Sequence, residues 1–206
     1  AGAHDSDSTS ATRPSGGYLE TLDAGVVGLR IGVPTGFFMD PIDPQVQAAF
    51  LAAVEVIREL GAEVTTVDVS YLVGSLEAEF AIVSPEAASY HHANLCRSPE
   101  LIDPSIRAML VAGAALPSSY YLRALRWRQV IADQMRETFA GNRLDAFMTP
   151  TVPAPAQLHD QEEFAYPGGE EPVISSFVRT TAPFNLTGQP ALSVPCGFTD
   201  GVLPLG

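Results

Sequence analysis

Leu29-Arg30-Ile31-Gly32-Val33-Pro34 is an apolar run closed by proline, and it reads as a short buried strand. Ten residues on, Asp43-Pro44 supplies an N-capping carboxylate and a proline suited to a first helical turn. Val46, Phe50, Val54, Ile57 and Leu60 then recur every three or four positions, which gives one apolar helix face, and Gly61 serves as its C-cap. Glu63 to Val69 alternates and is β-branched, a strand pattern. Strand, helix and strand in this order predict an α/β layer.

Working outward, residues 75–95 read as helical, with a break or kink at Ser84-Pro85. Asp103-Pro104 starts a shorter helix that ends near Gly113. Ser118 caps a long helix to about Ala140. Leu144 to Thr149 reads as a strand stopped by Pro150, and Ala191-Leu192-Ser193-Val194 as a last strand. Residues 152–172, rich in proline and acids, read as a loop. Residues 1–24 are small and polar and read as an extended surface segment. No internal repeat or linker divides the chain.

Composition narrows the function. Of 206 residues, 46% are hydrophobic and 17% charged, a balance that buries a core. A net charge of −13 argues against nucleic acid and against anionic membrane as partners, since both are held by clustered cations. No apolar run of about 18 residues predicts a membrane span. Cys96 and Cys196 make no disulfide framework, so a reduced, cytoplasmic setting is expected. All 11 basic residues are arginine, so no mechanism that requires a lysine base can be completed by these residues.

Seven strings in order resemble the amidase-signature family. They are Gly2-Ala3-His4-Asp5 with Asp7-Ser8-Thr9-Ser10; Gly28 to Pro34; Leu60-Gly61-Ala62-Glu63-Val64; Tyr121 to Arg128; Thr149-Pro150-Thr151; Pro183 to Gly197, the most specific; and Gly201 to Gly206. The resemblance covers essentially the whole chain. It implies an α/β fold, a mixed β-sheet flanked by helices, of which residues 1–206 are the C-terminal part of one amidase domain. It also implies hydrolysis of a carbon–nitrogen amide bond, with no cofactor and no metal.

The family's chemistry uses a serine nucleophile, a second serine in a cis peptide and a lysine as ultimate base, with backbone N–H groups of a Gly/Ser-rich loop stabilising the oxyanion. Ser118-Ser119 and Ser175-Ser176 are the only Ser-Ser pairs, and neither is flanked by the glycines such a loop needs. No catalytic residue is therefore assigned here. Both ends read as cut, the missing elements are expected upstream, and the chain alone is expected to be inactive. Its expected partners are a small-molecule amide, the missing N-terminal half of the domain and, through exposed apolar edges, a second copy in a homodimer.

Four residues are candidates for substrate binding. Arg128 falls on the stripe made by Tyr120, Ala124, Trp127, Ile131, Met135 and Phe139. A guanidinium buried there needs a partner: either protein carboxylates or carbonyls, or the carboxylate or carbonyl of a substrate. In the amidotransferase branch the matching arginine helps hold an amino-acid substrate. That branch also has an acid seven residues before the Asn of the Asn185-Leu186-Thr187-Gly188 string. Val178 stands here, followed by Arg179, which favours a generic amidase over glutamine-dependent transamidation. Asn185 and Gly188 are either turn and capping residues or a wall of the amide pocket. Thr149 either shapes the backbone or lies near the site at a strand end.

Weaker patterns are read structurally. His91 and His92 are adjacent, so on a helix they point about 100° apart and do not share an ion. Glu162-Glu163 and Glu170-Glu171 read as a solvated loop. A Ser/His/Asp hydrolase built on Ser84 or Ser89 with His91 or His159 lacks a Gly-x-Ser-x-Gly elbow. A non-catalytic binding or complementing protein with the same fold is the alternative to the amidase reading.

Overall fold

The strand–helix–strand pattern forms as read. In the computed structural model, which describes residues 3–7, 10, 12 and 16–206, strand β1 is Arg30–Pro34, helix α1 is Pro44–Glu59 and strand β2 is Glu63–Val67. The Asp43 carboxylate accepts from the backbone N–H of Gln45 at 2.8 Å, the capping bond its position implied. Gly61, at φ +97°, turns the chain from the helix into β2. The short β3, Ala146–Phe147, adds to the other edge of β1, giving a parallel sheet in the order β2-β1-β3. Gly32 is needed in the central strand. A Cβ there would lie 2.7 Å from Leu144 and 2.8 Å from Phe147, so the missing side chain lets both pack over the sheet.

Helices α2 (Ser75–Arg97), α3 (Pro104–Ala115), α4 (Ser118–Asn142), α5 (Val173–Arg179) and α6 (Ala182–Thr187) make up the helical part. The main core joins sheet to helices through Phe38, Val67, Leu72, Ile82, Ile131 and Met135, together with Leu186. Burial of such side chains contributes about 2 kcal/mol each. The expected α/β architecture is present. Among the described residues parallel and antiparallel pairings occur in separate sheets: besides the parallel one there are two ribbons, β4 (Glu163–Tyr166) with β5 (Gly169–Pro172), and β6 (Gly197–Phe198) with β7 (Pro204–Leu205).

Several expectations are corrected. Helix α2 continues through Pro85 rather than breaking there. Helix α3 packs closely on that spot: a Cβ on Gly113 would come within 2.2 Å of the Ser84 carbonyl oxygen, so only glycine permits the approach. Tertiary packing thus holds a turn that proline weakens. Helix α4 begins at Ser118 itself, with Pro117 as N-cap and no side-chain capping bond. The stretch 152–172 is not wholly loop, because it contains the β4–β5 hairpin. Phe164 and Tyr166 bury one face of β4, and Pro167-Gly168, with Gly168 at φ +109°, makes the turn. Ala191–Val194 forms no strand among the described residues. Leu192 is 88% exposed there, so its side chain has no core to enter. Residues 18–23 form exposed turns. Gly2, Ser8 and Thr9 of the first family-like string lie outside the described residues.

Candidate functional site

Three of the four candidate residues meet where α4 passes α6. The Arg128 Nε donates to the carbonyl oxygen of Leu186 at 2.7 Å, one residue from Asn185 and two from Gly188. Gly188 ends α6 in the left-handed conformation, φ +70°, and its N–H bonds back to Phe184 at 2.9 Å. Asn185 Nδ2 donates to Glu79 Oε1 on α2 at 2.9 Å. Thr149 stands apart, after β3 and before Pro150. The link from that strand end to α6 runs through its neighbours, where Thr180 Oγ1 donates to the Thr151 carbonyl at 2.7 Å.

The expected burial of Arg128 is corrected. The stripe is covered at Ala124, Ile131 and Met135, while Trp127 and Tyr120 are 39% and 56% exposed, and Arg128 lies on the exposed side with them. The periodicity located a face of α4 without fixing how much of it would be covered. Arg128 finds a protein carbonyl through Nε, one of the two kinds of partner expected. Its two terminal nitrogens have no partner among the described residues. They line a polar groove of about 360 Å³ with Gln129, Arg136, Leu186 and Thr187. Arg136 is held by Asp133, which also accepts from Gln129 at 3.0 Å, so Arg128 is the uncommitted cation there.

Glu79 escaped the sequence reading. It lies on the inward side of α2, one turn from the buried Ser75 and Ile82, and burial pushes its carboxyl above the usual carboxylate range, opposed by the Asn185 bond. Its second oxygen, Oε2, is enclosed and has no hydrogen-bond partner. Glu79 is one of three glutamates on α2, with Glu77 and Glu86, and nothing local distinguished it from them. From α4, the Tyr121 hydroxyl donates to Glu86 Oε1 at 2.9 Å, which ties α4 to α2.

A second polar junction was missed entirely. Arg179, 8% exposed, donates Nη1 to the Phe37 carbonyl at 2.6 Å, Nη2 to the Pro41 carbonyl at 2.7 Å and Nε to Glu171 Oε1 at 3.1 Å. Ser176 donates to Glu171 Oε2 at 2.8 Å and is itself hydrogen-bonded to the Tyr166 hydroxyl. Glu171, expected in a solvated loop, is therefore an internal counter-ion. Arg179, which follows the Val178 that departs from the amidotransferase pattern, is spent on holding the hairpin and α5 to the loop after β1.

No group of three or more His, Cys, Asp or Glu side chains that could hold a metal occurs among the described residues, and no helix there is long and apolar enough to cross a membrane. His92 Nε2 lies 3.7 Å from Cys96 Sγ on the exposed side of α2.

The chain is similar to known proteins. An amidase from Pseudomonas putida is 37% identical over 204 residues, which are 98% of this chain and 43% of that protein. A glutamyl-tRNA(Gln) amidotransferase component from Myxococcus xanthus is 33% identical over 228 residues, covering 97% of this chain and 45% of that protein. Among solved structures, a protein from an unexpected vestigial complex that reveals the evolutionary origins of an s-triazine catabolic enzyme superposes with a TM-score of 0.87 at 26% identity, over 100% of this chain and 44% of that one. The chain spans less than half the length of the relatives it matches. The family model described as Amidase matches residues 1–206, and with the ordered motifs, the α/β fold and these relatives it places the chain in the amidase-signature family.

Proposed function

We propose that these 206 residues are the C-terminal part of an amide hydrolase, supplying walls of the substrate pocket to a Ser-cisSer-Lys centre carried elsewhere in the protein. The observation that carries the reading is a full-length family match in a chain that holds no lysine and spans 43% of its amidase relative. Arg128, Asn185 and Gly188 form one wall, with Thr149 at the strand end as a further element. Arg128 offers its free guanidinium edge to a carboxylate or carbonyl of the substrate, a fork suited to two parallel hydrogen bonds. The exposed apolar side chains of Leu192, Val194 and Phe198 fit a surface that the rest of an amidase domain covers. The setting is cytoplasmic.

In this reading the N-terminal portion delivers the nucleophile and base, and the present residues shape specificity. The experiment is an intact mass of the native gene product, followed by ammonia release from benzamide and propionamide. A mass well above 21.8 kDa with turnover in the long form, and none from the 206 residues alone, is expected. A native product of 21.8 kDa that binds a partner chain and turns over no amide overturns it in favour of a complementing protein.

A further inference from the structure

The least explained group in the molecule is the Glu79 carboxylate. It is partly buried on the inward face of α2 and makes no ion pair among the described residues, its one bonded partner there is the neutral amide of Asn185, and its other oxygen is shut away without a hydrogen bond. Burying such a group is unfavourable, and an apolar residue would stabilise the α2–α6 contact better. What a carboxylate does there that an apolar residue does not is fix the direction of an amide. An ionised carboxylate only accepts hydrogen bonds, so the Asn185 side chain must turn its NH₂ toward Glu79. A neutral amide partner removes that constraint, because two amides can meet in either sense. With Nδ2 committed at 2.9 Å, Oδ1 is turned away from Glu79, on a residue whose side chain is exposed.

We infer that Glu79 is a positioning residue: it orients the Asn185 amide so that Oδ1 is presented as an acceptor for an N–H group of the substrate. This rests on the reading of Asn185 as a pocket residue. It narrows the ligand class to amides that retain an N–H donor, and it assigns Glu79 a role in specificity through Asn185 rather than in bond cleavage.

The test uses the full-length gene product and benzamide. Glu79→Gln keeps an acceptor but allows the amide to reverse, and Glu79→Leu removes the acceptor at similar volume. KM is expected to rise about threefold for Gln and about tenfold for Leu, with kcat within about twofold, the scale of one lost neutral hydrogen bond between Asn185 Oδ1 and the substrate N–H. In an Asn185→Ala background the Leu substitution is expected to add nothing, because its effect runs through Asn185. Unchanged KM values, or a Leu effect that persists without Asn185, overturn the inference. A second measurement separates it from the amidase reading. In ¹⁵N-labelled protein, one side-chain amide proton of Asn185 is expected downfield in the wild type and shifted upfield in Glu79→Leu. If no amide is turned over but that shift is seen, the amidase reading fails and the orienting contact stands; if the resonance does not move, the contact itself is refuted.

Discussion

Two polar junctions hold helices α5 and α6 to the rest of the molecule, and they are built differently. At the Arg179 junction each charge is matched: the guanidinium makes four hydrogen bonds, to two carbonyls and to both oxygens of Glu171, and Ser176 satisfies Glu171 further. At the Glu79 junction matching is incomplete. One carboxylate oxygen is orphaned, and Arg128 keeps donors with no partner among the described residues. A closed network fixes a structure, while an open one leaves polar groups for something else to meet. The difference separates architecture from a candidate site without appeal to either motif.

Breaking the closed junction gives the largest effect. Arg179→Met leaves Glu171 buried beside Ser176 with no cation, and a loss of about 3–5 kcal/mol is expected in urea unfolding. A loss below about 1 kcal/mol would erase the contrast between the junctions. Ser176→Ala removes the hydroxyl between Tyr166 and Glu171 and is expected to cost about 1–2 kcal/mol by the same measurement. The Tyr166 phenol, raised mainly by burial, stays neutral through this change at ordinary pH.

At the open junction the effects are smaller and one changes sign. Arg128→Met removes a single bond from an exposed side chain, and a loss of about 0.5–1 kcal/mol is expected. Glu79→Gln is expected to stabilise at pH 7, raising Tm by about 1–2 °C. The sign follows from the raised carboxyl. Between the unfolded value, about 4.3, and the higher folded value, the folded state binds more protons than the unfolded one, so stability falls as pH rises. The benefit of Gln should shrink as pH is lowered toward that unfolded value, which thermal melts across pH 3–8 would record. A stability gain with a weaker KM marks a functional residue, since a structural carboxylate moves both in the same direction.

Much of the candidate site lay in the sequence, though unevenly. The Asn185 to Gly188 string and Arg128 were visible as motif positions, and the structure brings them to one place. Glu79 was not, because its partner is 106 residues away and nothing local sets it apart from Glu77 and Glu86 on the same helix. The β4–β5 hairpin was available in principle, since Phe164 and Tyr166 alternate ahead of Pro167-Gly168, but the surrounding prolines and acids masked so short a period.

The sequence by itself determined the elements set by local chemistry. Asp43-Pro44 and Asp103-Pro104 start helices because the side chain caps the next N–H groups, and Gly61 ends one because φ +97° costs glycine little. It also determined family membership, carried by ordered motifs, and the absence of lysine. Tertiary structure alone decided what became of the ambiguous residues. Helix α3 lets α2 run through Pro85, solvent rather than core meets Leu192, and a loop carbonyl and a hairpin carboxylate turn Arg179 into a buried tie. Local propensity is set within a turn of chain, whereas burial and charge pairing depend on partners brought together from far along it.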